Sequence, residues 1–285
     1  MSRIAYVNGR YLPRARAGVS IDDRALYFGD GVYEVCEVRG GELIDEARHL
    51  ARLRDSLSAL RIAAPMGEAA LGGVLREVVR RNRVIDGLVY LQISRGVGKR
   101  DHAFPVTGTK PSLTVTAKSL DPRAGEANAA RGVKVITLPD ERWAHPRIKT
   151  LQLLPNVLAK QKAREAGPYE AWFIDARGFV TEGASTNAWI VAADGALVTR
   201  QADEAILRGV TRMTLIDVAA REGVRFEERA FTREEALRAR EAFFSSATTI
   251  AMPVIAIDGQ KIGSGEPGPV TLALRRRFHE VAARS

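Results

Sequence analysis

Lys149 is the first residue whose type and surroundings suggest chemistry in this 285-residue chain. It lies in an apolar segment, and none of the six residues that follow it is acidic. An amine in apolar surroundings is desolvated, which favours the neutral, nucleophilic form that condenses with carbonyl groups to a Schiff base. The same residues also fit a lysine whose stem lies on apolar surface before a helix and whose amine reaches water. Both interpretations stay open on these residues alone.

Glu182 is the second such residue. It precedes a run of small and hydroxyl residues that includes Ser185 and Thr186, and the run lies between two predicted strands. A carboxylate in this setting is suited to pairing with a ring nitrogen, with hydroxyl groups beside it as hydrogen-bond partners. A polar turn with an exposed glutamate fits equally well.

Two segments have the features of a phosphate site. Residues 207–212 pass from Gly209 into a predicted helix, where free backbone N–H groups and the helix dipole favour an anion and Thr211 adds a hydroxyl. Residues 245–249 follow a predicted strand and hold four hydroxyl residues in five. Arg52, on the polar side of a predicted helix, has the charge and length to reach a phosphate. Each feature also occurs as a plain helix cap, a turn or a solvent-exposed arginine.

The loop 95–102 is a candidate for binding a carboxylate. Arg100 and His102 are two positions apart, so in an extended loop they share a side. With Gly96 and Gly98 shaping the loop, the pair would act as a clamp. The glycine spacing matches neither the dinucleotide nor the P-loop fingerprint. A flexible basic surface loop is the alternative.

Hydrophobic periodicity predicts the elements that must hold these residues. Asn8-Gly9 is a dipeptide favoured in tight hairpins, because both positions tolerate positive φ. The predicted helices cover residues 45–60, 68–83, 154–165, 211–223 and 270–283, and a further helix is predicted to begin at the capping box of Thr232 and Glu235. The predicted strands cover residues 4–7, 10–12, 32–38, 42–44, 88–94, 112–117, 132–137, 171–174, 179–182, 187–191, 242–245 and 254–257.

The polar stretch 119–125 contains proline and glycine and interrupts this periodicity, so it is predicted as an interdomain linker. It separates a small N-terminal domain, residues 1–118, from a larger C-terminal domain, residues 126–285. Helices and strands are mixed in both parts. The predicted class is therefore α+β.

The composition limits the function classes. The chain carries 43 Lys and Arg against 34 Asp and Glu, a net charge of +9, yet only 8 of the 43 are Lys and the arginines are scattered. No nucleic-acid-binding motif accompanies them, and an anionic small molecule fits the charge better. The single cysteine, Cys36, excludes an internal disulfide framework and a cysteine-rich metal site. We expect a cytoplasmic enzyme with no membrane, nucleic-acid or metal partner, since no apolar run has membrane-spanning length.

Taken in order, these segments resemble the class IV, or fold-type IV, aminotransferases that depend on pyridoxal 5'-phosphate. The resemblance runs from residue 27 to residue 259, and its most specific parts are Ile148-Lys149-Thr150-Leu151 and Thr181-Glu182-Gly183. It implies a two-domain fold with a small N-terminal α/β lobe and a larger C-terminal lobe with a β-barrel-like core. It also implies the cofactor and a homodimer as the smallest assembly.

The resemblance assigns the central roles to Lys149 and Glu182. Lys149 corresponds to the lysine that forms the Schiff base with the cofactor and then shuttles a proton between substrate Cα and cofactor C4′. Glu182 corresponds to the residue that keeps the pyridine nitrogen protonated, so that the ring drains the carbanion formed at Cα. Leu207 corresponds to a residue packed on one face of the ring, and Ser185 and Thr186 belong to the same cofactor-binding segment.

The family's phosphate cup has counterparts in the N-terminal and C-terminal parts of the chain. They are Arg52, Val210, Thr211 and the turn Ser246, Ala247 and Thr248. At Ala247 the D-amino-acid-specific members carry a hydroxyl, so only the backbone N–H is expected to bind here. His145-Pro146-Arg147 also departs from the Cys-Asp pair expected before Ile148.

The substrate class depends on how the α-carboxylate is held. Tyr33, Arg100 and His102 correspond to the three residues that trap it in the D-amino-acid-specific members, and Arg142 to an arginine near the ring and Tyr33. In those members the arginine and histidine come from the neighbouring subunit.

The resemblance therefore implies ping-pong transamination between a D-amino acid, such as D-alanine or D-glutamate, and a 2-oxo acid, such as 2-oxoglutarate or pyruvate. A branched-chain L-amino-acid aminotransferase remains an alternative within the family. An aminodeoxychorismate lyase and an (R)-amine transaminase fit less closely.

Overall fold

The computed structural model describes residues 3–106 and 108–285. Met1, Ser2 and Thr107, which fall within the predicted N-terminal domain, lie outside the described residues. The chain separates into two compact units, one formed by residues up to 122 with 148–152 and 283–285, the other by 123–147 and 153–282. The predicted linker stretch 119–125 contains the last residue of one strand and the start of a helix.

Unit 1, the N-terminal unit, has six strands and three helices among its described residues. The strands are β1 Ile4–Val7, β2 Arg10–Pro13, β3 Gly31–Arg39, β4 Glu42–Leu43, β5 Gly87–Ser94 and β6 Ser112–Ser119. The helices are α1 Arg24–Phe28, α2 Glu46–Ala59 and α3 Glu68–Asn82.

An antiparallel sheet forms the centre of unit 1. Its strands run in the order β2-β1-β6-β5-β3-β4. Asn8 and Gly9, both with positive φ, join β1 to β2 in the predicted hairpin. β3 packs against α2 and buries alternate side chains, among them Glu34 and Cys36. This alternation places the Glu34 carboxylate on an otherwise apolar face.

Residues 148–152 belong to unit 1 although the chain reaches them through unit 2. The Tyr33 amide donates to the Lys149 carbonyl at 3.0 Å, and the Leu151 amide donates to the Gly31 carbonyl at 3.0 Å. The segment therefore pairs with the start of β3. Gly31 makes this approach possible, because a Cβ there would lie 2.7 Å from the Ile93 carbonyl oxygen and 2.8 Å from the Leu151 side chain.

Unit 2, the C-terminal unit, has nine strands and five helices among its described residues. The strands are β7 Val133–Pro139, β8 Glu170–Ile174, β9 Val180–Gly183, β10 Asn187–Val191, β11 Leu197–Thr199, β12 Phe226–Glu228, β13 Glu241–Ser246, β14 Ile250–Ile257 and β15 Gln260–Lys261. The helices are α4 Pro122–Arg131, α5 Leu154–Ala166, α6 Val210–Arg221, α7 Arg233–Leu237 and α8 Pro269–Val281.

A mixed sheet dominates unit 2. Its order is β12-β11-β10-β13-β14-β7-β8-β9, with β15 paired to β14. The neighbours β14 and β7, β7 and β8, and β11 and β12 are parallel. β9 also lies against β10, so the sheet curls back on itself in the manner predicted for a barrel-like core. Its apolar core includes Trp172, Val180, Ile190, Phe231, Phe244 and Met252.

The predicted elements and the α+β class are confirmed, with differences at short or atypical segments. β14 begins at Ile250 rather than 254 and includes Pro253, which has no N–H to donate. α1, α4, β11, β12 and β15 were not predicted, because segments this short or this polar give little periodicity. Among the described residues, no helix has the length and apolar character needed to cross a membrane.

Candidate functional site

The amine of Lys149 lies beside aromatic rings in unit 1. Its backbone is fixed by the pairing with β3 and by a hydrogen bond from the Lys149 amide to Ser56 Oγ at 3.2 Å. Its Nζ lies 4.2 Å from the centre of the Tyr33 ring, which stacks on Tyr90 at 5.7 Å. Within the described residues no carboxylate forms an ion pair with this amine. The predicted nucleophile is thus held by its backbone and left without an acidic partner.

Burial changes the chemistry of the Tyr90 hydroxyl. Burial, with a smaller contribution from Tyr33, raises the pKa of Tyr90 to about 12. The Tyr90 hydroxyl is therefore neutral at physiological pH and donates to Gln92 Oε1 at 2.9 Å. Tyr90 therefore places no charge beside the Tyr33 ring on which it stacks.

Arg52, predicted to bind phosphate, forms a buried cluster with Glu34 and His49. Arg52 Nε donates to Glu34 Oε1 at 2.7 Å, and Arg52 Nη2 donates to Glu34 Oε2 at 2.8 Å. His49 Nδ1 lies 2.8 Å from the same Oε2. The Glu34 side chain has no exposed surface, and those of His49 and Arg52 are 4% and 11% exposed.

The charges in this cluster are set by its contacts. Burial acts to raise the pKa of the Glu34 carboxyl, but Arg52 and His49 outweigh it and hold that pKa well below its usual range. Burial lowers the pKa of His49 against the opposing effect of Glu34. At neutral pH the cluster thus holds an ionised carboxylate, a guanidinium and a neutral imidazole. Because a carboxylate only accepts, His49 Nδ1 carries the proton.

Arg100 and His102 lie on a loop whose backbone is anchored and whose side chains are exposed. The buried Arg24 donates to the carbonyls of Asp101 at 2.7 Å and His102 at 3.5 Å. The rings of His102 and Phe28 are 5.3 Å apart, and the Arg100 guanidinium lies 5.7 Å from the Phe28 ring centre.

The structure does not bring the three predicted carboxylate-binding residues together within one chain. Tyr33 contacts Tyr90 and Lys149, whereas Arg100 and His102 contact Phe28. Among residues 3–106 and 108–285, no hydrogen bond, ring contact or cation–π contact joins Tyr33 to either basic residue. The described residues of one chain therefore do not form the predicted carboxylate site.

Glu182 is the centre of a polar cluster in unit 2. Its carboxylate forms a buried ion pair with Arg142 Nη1. The Leu207 amide lies 3.2 Å from both of its oxygens, and Asn187 Nδ2 donates to Oε2 at 3.0 Å. The carboxylate is fixed by donors from three different segments of the chain.

Arg142 is held by Asp140 as well as by Glu182. Its Nε and Nη2 donate to the Asp140 carboxylate at 2.9 Å and 2.7 Å. Burial acts to lower the pKa of Arg142, but the two carboxylates raise it above its ordinary value. Burial likewise acts to raise the pKa of Asp140, and Arg142 outweighs it, so that pKa is lowered. The predicted substrate residue Arg142 is thus occupied inside unit 2.

Asn187 connects the parts of the site in unit 2. Besides Glu182, its Nδ2 donates to the Leu207 carbonyl at 3.0 Å. A Cβ at Gly209 would lie 2.0 Å from Asn187 Oδ1, so only glycine allows α6 to begin this close. Across the sheet Asn187 pairs with Ser245, next to the predicted phosphate turn. The Asn187 side chain therefore connects Glu182, Leu207 and the start of α6, and its backbone pairing connects them to the end of β13.

The predicted phosphate residues of unit 2 lie at two places, the start of α6 and the end of β13. Val210 and Thr211 are buried at the first positions of α6, where backbone N–H groups have no acceptor within the helix. Ser246 is the last residue of β13, Ala247 and Thr248 lie in the turn that follows, and Ser246 Oγ lies 2.8 Å from Thr249 Oγ1.

The two hydroxyl residues after Glu182 differ in their contacts. Ser185 donates to the buried Glu170 at 2.8 Å, so its hydroxyl is already used. The Thr186 hydroxyl is buried and has no hydrogen-bond partner among the described residues. An unsatisfied buried hydroxyl is costly, and a bound group is one way to satisfy it.

Sequence reasoning missed the residues that hold the site rather than form it. Asn187, Asp140, Glu34 and His49 were not singled out as functional. For Glu34 a signal existed, because it alternates with Val32 and Cys36 on the apolar face of β3. Among the described residues, no group of three or more His, Cys, Asp and Glu side chains is arranged to hold a metal ion.

Comparison with known proteins covers most of the chain. The sequence model of the family described as amino-transferase class IV matches residues 31–257. A D-alanine aminotransferase from Bacillus licheniformis is 42% identical over 264 residues, 93% of this chain and 92% of that protein.

Three solved structures, all of branched-chain aminotransferases, are similar in fold. The Escherichia coli enzyme has a TM-score of 0.91 at 25% identity, covering 99% of this chain and 95% of that one. The enzyme of Thermoproteus uzoniensis, with norvaline, has a TM-score of 0.87 at 25% identity, covering 100% and 99%. A further one, solved with pyridoxamine 5'-phosphate, has a TM-score of 0.90 at 27% identity, covering 98% and 94%.

The predicted resemblance is confirmed by these matches. The matched region contains both Lys149 and Glu182, and the structures share the fold-type IV architecture expected from the sequence. The predicted cofactor, pyridoxal 5'-phosphate, is that of the family. This chain belongs to the class IV aminotransferases.

Proposed function

We propose that the protein is a D-amino-acid transaminase that exchanges the amino group of a D-amino acid, of the D-alanine or D-glutamate type, with a 2-oxo acid such as 2-oxoglutarate or pyruvate. The observation that carries the proposal is the Lys149 amine, fixed by its backbone beside Tyr33 without an acidic partner. The similarity to proteins named D-alanine aminotransferase over most of the chain supports the substrate class.

The residues present fit pyridoxal 5'-phosphate. The buried Thr186 hydroxyl has no hydrogen-bond partner among the described residues, and Gly209 lets α6 begin directly against Asn187, so the free N–H groups at the start of α6 belong to the same polar cluster as Glu182. Glu182 presents a fixed carboxylate, which suits a protonated ring nitrogen. When bound, the cofactor supplies the electron-accepting ring that makes the substrate Cα–H acidic.

We assign the binding of this cofactor to the predicted residues. Glu182 would bind the ring nitrogen and Leu207 would pack on the ring face. The Val210 and Thr211 amides, the turn from Ser246 through Ala247 to Thr248, and Arg52 would bind the phosphate. Ser185 would have only an indirect role in cofactor binding, because its hydroxyl donates a hydrogen bond to Glu170.

Lys149 is assigned the proton transfer. Its amine would take the proton from substrate Cα and return it at cofactor C4′. A positioned base needs only a short reach for this transfer. The backbone pairing with β3 limits the side chain to its own torsions. The neutral Tyr90, stacked on Tyr33, places no negative charge near this base that would compete for the proton.

Tyr33, Arg100 and His102 are assigned to the substrate carboxylate, with Arg142 near the ring. Arg100 and His102 are exposed in one chain, and their loop is held by Arg24. Positive charge at one fixed side of the site would orient a D substrate for proton transfer by Lys149. Because one chain does not bring Tyr33 to these residues, we propose that the trap is completed in a homodimer.

The outer face of α5 supports association. Leu154, Val157 and Leu158 are 68%, 58% and 56% exposed. Their spacing places them on one side of the helix, and a stripe of this kind is suited to burial against a second copy.

Subunit complementation tests the shared site. A Lys149→Ala chain and an Arg100→Ala/His102→Ala chain are each expected to be inactive alone. After mixing and subunit exchange, activity should return, because a mixed dimer contains one site with both Lys149 and the basic pair. A mixture that forms mixed dimers but stays inactive would contradict the shared trap.

A branched-chain L-amino-acid aminotransferase is the second candidate, favoured by the three similar structures with that name. A panel of D- and L-amino acids assayed against 2-oxoglutarate separates the two. We expect turnover of D-alanine and D-glutamate with at least about a hundredfold preference over the L forms. Turnover of L-leucine without D-alanine would support the second candidate instead.

We further propose a cytoplasmic location and the domain division 1–118, 119–125 and 126–285 for folding. The buried free thiol of Cys36 suits a reducing compartment. Limited proteolysis with cleavage confined to 119–125 would support the division.

A further inference from the structure

Glu34 bonds to both Arg52 and His49, and neither Glu34 nor His49 has a role in the proposed binding of cofactor or substrate. We propose that Glu34, supported by His49, is a positioning residue that fixes the Arg52 guanidinium for the phosphate of the cofactor. The proposal rests on the proposed function, which assigns Arg52 to that phosphate.

The contact between Glu34 and Arg52 fixes a plane and not only a distance. Two parallel bonds, from Nε to Oε1 at 2.7 Å and from Nη2 to Oε2 at 2.8 Å, join one edge of the guanidinium to the carboxylate. A guanidinium is rigid and planar, so fixing one edge also fixes the direction of the opposite edge. Arg52 thereby has one orientation before any anion binds.

His49 fixes Glu34 in turn. It lies one turn before Arg52 on α2, and its Nδ1–H donates to Glu34 Oε2 at 2.8 Å. That oxygen accepts from both residues of α2, while Glu34 itself is on β3. The carboxylate is therefore held by two donors from one rigid helix, and its rotation would break both bonds.

Complete burial makes a purely stabilising role a poor explanation. The Glu34 side chain has no exposed surface, and the cost of desolvating two charges commonly cancels the attraction between them. An apolar pair on β3 and α2 would fill the same space without that cost. What the ion pair provides in addition is a directed guanidinium.

The direction in which a Glu34 substitution changes phosphate binding distinguishes a positioning role from a purely electrostatic one. Glu34 is negative and close to Arg52, so its charge alone opposes the binding of a phosphate. Replacing it with the neutral Gln would then strengthen phosphate binding if only charge mattered. If Glu34 acts by positioning Arg52, the same replacement weakens phosphate binding, because the amide offers one acceptor instead of two.

The experiment compares the affinity of the cofactor-free enzyme for pyridoxal 5'-phosphate and for pyridoxal, followed by the change in visible absorbance. The two aldehydes differ only in the phosphate, so the ratio of their dissociation constants reports on the phosphate site. We expect Glu34→Gln to reduce the preference for the phosphorylated form about tenfold. Arg52→Gln should reduce it by at least as much, and the double variant no further.

Glu46→Gln is the matched control. Glu46 is a buried glutamate on the same helix, paired with Arg76 and Ser285, and its loss should leave the ratio unchanged. A Glu34→Gln ratio that stays constant or rises would overturn the proposal. Equal weakening of both aldehydes would show a structural role only and would also overturn it. Failure of the unmodified protein to bind either aldehyde would instead refute the proposed function.

His49 gives an independent measurement on the same ratio. His49→Ala should lower the preference for the phosphorylated form, and His49→Gln, which restores an N–H donor, should recover part of it. Equal ratios in the two variants would contradict the support assigned to His49.

Discussion

Each of the two units buries an arginine–glutamate pair. The carboxylate is the supporting group in one pair and the supported group in the other. In unit 1 the carboxylate of Glu34 is the support, and Arg52 is the group it directs. In unit 2 the carboxylate of Glu182 is the group that is held, by Arg142 and by two uncharged donors from Asn187 and Leu207. Two ion pairs of the same type thus orient a cation in one unit and hold an anion in the other.

The difference suits two kinds of bound group. A phosphate needs a cation with a fixed direction, whereas a protonated ring nitrogen needs a carboxylate that stays ionised. Arg142 also pairs with Asp140, so an anion remains beside it whatever Glu182 binds. Substitutions in the two clusters should therefore change different quantities, binding for unit 1 and turnover for unit 2.

Removal of Lys149 should have the largest effect. Lys149→Ala should lower kcat by at least about 10³-fold, because it removes the base and the covalent link to the cofactor. Loss of the borohydride-sensitive visible absorbance measures the link directly. Lys162→Ala, an exposed lysine on α5, is the control and should retain both properties.

Glu182→Gln should show the turnover effect of unit 2. The amide cannot keep a ring nitrogen protonated, so kcat should fall by about 10²-fold or more, while cofactor affinity changes little. Glu34→Gln should show the reverse, with weaker cofactor binding and a kcat near normal once the cofactor is saturating. Steady-state kinetics at several cofactor concentrations separate the two. Identical profiles for both variants would remove the distinction between the units.

Asn187 should give a smaller effect of the same kind as Glu182. Asn187→Ala removes the bonds to Glu182 and to the Leu207 carbonyl, and kcat should fall by about tenfold. Asn187→Asp places a second carboxylate beside Glu182 and should be worse than Ala. An aspartate variant more active than the alanine variant would show that Asn187 does not hold Glu182.

The smallest effect concerns stability against pH. The pKa of His49 is lowered from 6.5 in the folded chain, so the unfolded chain binds more protons just below that value. Stability is therefore complete above about 6.5 and falls as the pH decreases toward the folded pKa. Glu34, lowered from 4.5, adds a second loss that begins below that value.

Urea unfolding at a series of pH values measures this dependence. In His49→Gln the slope just below pH 6.5 should flatten, while the loss below pH 4.5 remains. Arg54→Gln, which removes an exposed pair with Glu68, is the control and should follow the unmodified protein. An unchanged slope in His49→Gln would show that His49 is not the titrating group.

The parts of the site that follow local rules were predictable from the sequence. Lys149, Glu182 and the glycine before α6 stand in short segments whose spacing identifies the family, and the helices and strands around them follow from periodicity. The confirmed family and fold rest on these segments. The residue roles themselves stay predictions.

Contacts between distant segments were not predictable. Asn187 meets Leu207 and Gly209 because the sheet and a long loop return to the same point, which no spacing encodes. The return of residues 148–152 to β3 depends on Gly31, more than a hundred residues earlier. Arg142 was predicted near Tyr33, but its contacts with Asp140 and Glu182 depend on how β7 and β9 align.

A half-reaction without an acceptor tests the central claim most directly. The purified enzyme with its cofactor is mixed with D-alanine alone, and the visible absorbance and the pyruvate released are measured. The account predicts rapid loss of the absorbance with one pyruvate formed per active site, no such change with L-leucine, and none in Lys149→Ala. Absorbance that persists with D-alanine but is lost with L-leucine would contradict it.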